Sequence, residues 1–184
     1  MTERLAERIN EIASEHPASP VASEYISRAK EGELTRDENP HSHFCVCFAG
    51  FDREAGKVFV GHHKKSGLWL FNGGHIDKGE IPEEALEREM GEEWGVVKVD
   101  LQSIGKPKLL TINPIQHPTI KCKQHFDIWY FIPLSEVDFK PDQALLDTEF
   151  YTTGWKSIED AKALIIDLAT LKGISEFEKI FSKK

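Results

Sequence analysis

The segment Gly74–Val96, GHIDKGEIPEEALEREMGEEWGV, constrains this chain more than any other stretch. Pro82 suits a first helical position, Glu83 and Glu84 favour the positive end of a helix, and Gly95 suits a C-terminal stop, so a helix is expected over 82–94. On that helix Glu89, Glu92 and Glu93 fall at i, i+3 and i+4, on neighbouring turns of one face. Leu86, Met90 and Trp94 form an apolar stripe beside them that would bury the helix against a sheet. Three carboxylates thus gather at the edge of a buried face. Like charges at that spacing destabilise an isolated helix, and a hard, oxygen-seeking cation such as Mg²⁺ or Mn²⁺ relieves the repulsion. In the preceding loop, Gly73 and Gly74 permit tight turns and close backbone approach to a ligand. Glu80 adds a carboxylate, and Arg88 has the fork to hold a glutamate bidentately. A lone E-x-x-E-E is usually a solvated helix face. Two glycines, four glutamates, an arginine and two apolar positions at fixed spacing are far more demanding.

The rest of the chain supplies a scaffold. Its 184 residues suit one domain plus a modest extension, and 40% hydrophobic with 29% charged residues suits a packed core. Leu5, Ile9 and Ile12, then Val21, Tyr25, Ile26 and Ala29, mark two helices within 1–31, and Gly32–Pro40 reads as a linker. This divides the chain into a helical extension and linker over 1–40 and a main domain over 41–184. Strands are expected at His43–Phe48 and Lys57–His62, around a hairpin loop at 50–56, and near 96–104, 108–113, 123–133 and 146–152. Ser157 begins a helix, and a last one is expected over 174–182. Phe126, Ile128, Tyr130 and Ile132 alternate with Asp127, Trp129 and Phe131, so both faces of that strand read as buried, with Asp127 towards a cleft. The order of helices, strands, one central helix, more strands and helices indicates an α+β domain with a mixed sheet between helices.

Function classes narrow further. The longest apolar run, Ile128–Leu134, is far short of the roughly 20 residues that span a bilayer, and no secretory signal is visible. A net charge of −8 argues against a nucleic-acid surface, although an acidic protein binds phosphates through metal cations. Cys45, Cys47 and Cys122 read as reduced thiols of a cytoplasmic protein, and no second Cys/His pair has zinc-ligand spacing.

The 74–96 segment resembles the Nudix box, G-x5-E-x7-R-E-U-x-E-E-x-G-U, in which U is bulky and apolar. Gly74, Glu80, Arg88, Glu89, Met90, Glu92, Glu93, Gly95 and Val96 match every fixed position. The resemblance implies a Nudix α/β/α sandwich over about 40–170, with the N-terminal helices outside the common domain. It implies metal ligation by Glu89, Glu92 and Glu93, support from the loop glutamate Glu80, orientation by Arg88, and a further ligand in the Gly73 carbonyl. Asn72 stands where many members have proline. The implied reaction is metal-dependent cleavage of a diphosphate linkage in a nucleoside diphosphate derivative or a nucleoside triphosphate, with Glu93 or Glu89 as general base and Glu149 as a candidate outside the box. Lys64 and Lys65 are candidates for phosphate contact, Trp69 for stacking on a base, and Gly74 for backbone approach to substrate. His117 and His125 read as structural or exposed.

Two other readings share the scaffold. An isopentenyl-diphosphate isomerase needs a cysteine and a glutamate placed for proton transfer at carbon, a context absent around the three cysteines. A non-catalytic nucleotide sensor commonly lacks box glutamates, all of which are present here. Substrate markers are absent or shifted: Pro107 and Pro114 lie 11 and 18 residues past Val96, and no tyrosine follows the box before Tyr130. A small nucleotide is the default substrate. The N-terminal helices are open to covering the cleft or to a homodimer contact.

Overall fold

The structure is a computed structural model that describes residues 2–115 and 121–182; His117 lies outside the described residues. Two helices come first, α1 (Thr2–Glu15) and α2 (Ala22–Glu31). Strands β1 (Ser42–Asp52), β2 (Lys57–His63), β3 (Trp69–Leu70) and β4 (Asn72–His75) lead into α3 (Pro82–Trp94). The short α4 (Leu101–Ile104), β5 (Leu109–Pro114), β6 (Gln124–Pro133), α5 (Gln143–Glu149), β7 (Phe150–Ser157), α6 (Ile158–Leu164) and α7 (Leu168–Ser182) follow.

The strands form one mixed sheet in the order β3-β2-β1-β6-β5, with β7 also on β2 and β4 also on β1. β1 is its centre. One edge runs parallel to β6 from Ser42↔Gln124 to Phe51↔Pro133. The other edge is shared, because β4 pairs with Cys45–Phe48 and β2 only with Phe51 and Asp52. Strands alternate side chains between faces, so β1 and β6 supply two cores. Phe44, Val46, Phe48, Phe126, Ile128, Tyr130 and Ile132 pack with α1, α2 and the Leu86, Met90 and Trp94 stripe of α3. Ala49, Trp129 and Phe131 pack on the other face with Ile165 and with Ala169, Ile174 and Phe177 of α7. Both faces of β6 are therefore covered, as its alternation predicts, and the molecule is an α/β/α sandwich.

The N-terminal helices share the α3 side of the core. The buried Tyr25 hydroxyl donates to the Asp127 carbonyl at 2.7 Å and lies 2.9 Å from that of Thr111, which fixes α2 to β5 and β6. Buried Arg28 donates to the carbonyls of Gly32, Glu33 and Ser42, joining the end of α2 to the start of β1. From α1, Arg8 meets Glu83 at 2.6 Å and Arg4 meets Glu84 at 2.8 Å, so α1 grips the first turn of α3.

Two expected strands are corrected. Residues 96–104 hold α4 instead, because the Asp100 side chain accepts the N–H groups of Gln102 and Ser103 and starts a helical turn. Residues 143–149 are helical for the same reason, with Asp142 capping α5, so β7 begins only at Phe150. The last helix starts at Leu168 rather than 174, where Asp167 accepts the Thr170 N–H at 2.7 Å. Among the described residues no helix is long and apolar enough to cross a membrane.

Candidate active site

β4 and α3 build the site together. Pro82 opens the helix, and the Glu84 carboxylate accepts the Ile81 N–H at 3.0 Å. Gly95, at φ 73°, closes it by returning its N–H to the Gly91 carbonyl. Burying Leu86, Met90 and Trp94 turns Glu89 and Glu93 inward at the rim of the core, 9% and 7% exposed, while Glu92 faces solvent. β4 fits between β1 and Glu89 only because it carries glycines. A Cβ on Gly73 would lie 2.4 Å from the Val46 carbonyl oxygen, and one on Gly74 would lie 2.0 Å from Glu89 Oε1.

Arg88 organises the carboxylates. It grips Glu80 with Nε and Nη2 at 2.8 and 3.0 Å, Glu89 with Nη1 at 2.7 Å, and reaches Glu92 at 3.3 Å. Nη2 also donates to the His75 carbonyl at 2.8 Å, which ties the helix back to β4. Burial works to raise the Glu80 carboxyl, but the Arg88 fork and the Asp77 N–H hold it below the usual range. Glu93 has no such cation: among the described residues its side-chain partner is the Asn72 amide. Burial pushes the Glu93 carboxyl up to about 8; the Asn72 amide opposes this, and the charges of Glu89 and Glu149 add to it. Burial likewise raises Glu89, against the pull of Arg88. Two adjacent buried carboxylates with one arginine between four acids form an electron-rich, oxygen-only donor set. Its chemistry fits a hard divalent cation.

The NUDIX domain family model matches residues 39–174. The chain belongs to the Nudix hydrolase family. Such enzymes generally use divalent metal ions. A NUDIX-family hydrolase from Clostridium perfringens is similar at 25% identity and a TM-score of 0.54, over 75% of this chain and 97% of that one. The dihydroneopterin triphosphate pyrophosphohydrolase of E. coli is 17% identical, with a TM-score of 0.53 over 73% and 93% of the two chains. The NUDIX domain of Shewanella oneidensis NrtR, solved with ADP ribose, is 18% identical, with a TM-score of 0.53 over 74% and 86%. No curated protein matches the chain.

Glu80, Arg88, Glu89, Glu92 and Glu93 of the Nudix box thus converge beside Gly73 and Gly74. The expected substrate contacts lie at the β2–β3 turn, with partners of their own. The Lys64 ammonium donates to the Asp147 carbonyl and sits 5.9 Å from the Tyr151 ring centre. Lys65 is exposed, and its charge is felt at His75 and His125. Trp69 stacks on His62 at 5.5 Å, with the Lys156 ammonium over the same ring at 5.6 Å. Glu149, at the end of α5, is half exposed and 3.6 Å from His63. Asp127 is fully buried, accepts from Thr111 at 3.2 Å, and is pushed up to about 7 by burial and by the charge of Asp167. The contact that sequence reasoning missed is Asn72–Glu93. The box pattern begins two residues after Asn72, and no spacing rule links a strand residue to a helix 21 positions on.

Proposed function

We propose that this Nudix domain hydrolyses a diphosphate linkage in a small nucleotide derivative, with Mg²⁺ or Mn²⁺ as its cation. The observation that supports this reading best is the pair of buried carboxylates Glu89 and Glu93, packed against the glycines of β4 with no cation beside them but Arg88 among the described residues. Glu89, Glu92 and Glu93, with Glu80 and the Gly73 carbonyl, would hold the ion. When bound, a divalent cation neutralises phosphate charge and acidifies water. Glu93 takes the proton of the attacking water, with the Asn72 amide holding its Oε2 in place. Glu149 is the reserve base, on the electrostatic influence it exerts at Glu93. Arg88 holds Glu80 and Glu89 in place. Lys64 and Lys65 contribute phosphate contacts and Trp69 an aromatic surface for a base. The free thiols of Cys45, Cys47 and Cys122 support a reducing, cytoplasmic setting.

The test is a substrate panel of nucleoside triphosphates, nucleotide sugars, ADP-ribose and a pterin triphosphate with each metal, scored by product. We expect metal-dependent release of a monophosphate or pyrophosphate product from at least one compound, lost with chelator. Glu93→Gln should lower kcat about 100-fold or more while leaving the melting temperature nearly unchanged. Ligand binding without turnover across the panel would instead identify a sensor.

A further inference from the structure

We propose that His43, Cys45, His75 and His125 form a second, transition-metal site that takes Zn²⁺. One donor atom from each residue lies within 4.8 Å of the others. Strand register produces this cluster. His43 and Cys45 are two apart on β1 and so share a face. In the parallel β1–β6 ladder His43 stands opposite His125, and in the antiparallel β1–β4 ladder Cys45 stands opposite His75. The three imidazoles meet with centroid separations of 4.8 Å (His43–His75), 5.0 Å (His43–His125) and 5.4 Å (His75–His125).

The donor chemistry differs from that of the carboxylate site. Three imidazoles and a thiol are borderline-to-soft ligands that suit zinc and disfavour Mg²⁺ or Ca²⁺. The rings are also oriented for ligation. His43 Nδ1 lies 3.0 Å from the Asn39 carbonyl, which only accepts, so Nδ1 carries the proton and Nε2 keeps its lone pair. His125 Nε2 is buried and has no hydrogen-bond partner among the described residues. A buried, unpartnered imidazole nitrogen beside a thiol is costly without a ligand and satisfied by one. His75 Nδ1 is 3.4 Å from the exposed Arg36 guanidinium. Tetrahedral zinc needs donors about 3.3–3.6 Å apart. The four groups must therefore close by about an ångström on binding the ion. Four protein ligands leave no open position, so the role is structural: the ion would clamp β1, β4 and β6 together beside Gly74.

The test titrates metal-free full-length protein with Co²⁺ and then Zn²⁺, following absorbance and melting temperature. One equivalent of Co²⁺ should give a tetrahedral spectrum with a thiolate-to-cobalt charge-transfer band, bleached by Zn²⁺, and Zn²⁺ should raise the melting temperature. His125→Gln should weaken Co²⁺ binding at least tenfold and remove the Zn²⁺ stabilisation, and Cys45→Ala should remove the charge-transfer band. Glu93→Gln, which disables the carboxylate site, should keep both signals, so this proposal and the hydrolase reading fail separately. Because Cys45 is buried and its variant is open to misfolding, His75→Gln serves as a second, half-exposed probe with the same expected loss. Octahedral Co²⁺ without charge transfer, lost in Glu93→Gln and kept in both histidine variants, would overturn the site, as would no binding at all.

Discussion

Asn72 on β4 donates its side-chain amide to Glu93 on α3, so a strand residue outside the box motif holds the most buried of its carboxylates. A hydrogen bond contributes about 0.5–1.5 kcal/mol, and about 1.5–3 kcal/mol once the carboxyl is ionised. If it orients Glu93 for chemistry, Asn72→Ala should lower kcat about tenfold or more with KM little changed. A loss confined to KM would show that Asn72 acts on substrate binding instead.

Gly74 is where the backbone of β4 and the Glu89 carboxylate share space. Gly74→Ala would place a methyl carbon 2.0 Å from Glu89 Oε1 and 2.1 Å from its Cδ. The clash is with the end of a flexible side chain, so the chain should fold with a melting temperature near wild type. Glu89, however, must move, and misplacement by an ångström costs about 100-fold in rate. Steady-state kinetics beside a thermal melt separates the two effects, and wild-type turnover would count against Glu89 as a site residue.

Arg88 makes planar contacts that an ammonium cannot reproduce. Arg88→Lys keeps the charge but loses the two-pronged grip on Glu80 and the reach to the His75 carbonyl. Orienting partners of this kind are worth about 10–100-fold in metal affinity or activity. The lysine variant should therefore need more Mg²⁺ or Mn²⁺ for half-maximal rate. An unchanged metal dependence would reduce Arg88 to a helix-surface ion pair.

Asp52 gives a pH-dependent prediction away from the site. Its carboxylate accepts the Ala55 N–H at 2.9 Å and the Glu136 N–H at 2.7 Å, and these bonds hold its pKa below the ordinary value of 3.8. A depressed folded pKa stabilises the protein above the unfolded value, and that contribution fades as pH falls through the folded one. Asp52→Ala should cost about 1–3 kcal/mol in urea unfolding at pH 7. The gap from wild type should narrow below about pH 4. A gap that persists undiminished at low pH would point to lost packing rather than lost charge.

The chemistry of the box was legible because it is local. Helical spacing alone places Glu89, Glu92 and Glu93 on one edge, and Pro82 and Gly95 bound their helix. The alternation in β6 likewise showed that both sheet faces are covered. What sequence could not show depends on partners far apart in the chain. Val97, Val99 and Leu101 mimic a strand, yet the Asp100 cap turns the chain into α4. The His43–Cys45–His75–His125 cluster has no ligand spacing to detect, since three separate strands deliver its donors and only register brings them together. Asn72 escaped for the same reason: its function is to reach across to another element.

The parallel ladder between β1 and β6 also dictates an order of assembly. β1 emerges early in synthesis, but its full-length partner arrives only after the box helix and β5 have been made. Until then one edge of the central strand is bare, and Phe44, Val46 and Phe48 lack Phe126, Ile128, Tyr130 and Ile132 as neighbours. Pairings so distant along the chain close slowly. The carboxylates of α3 are therefore synthesised well before the sheet beneath their helix is whole.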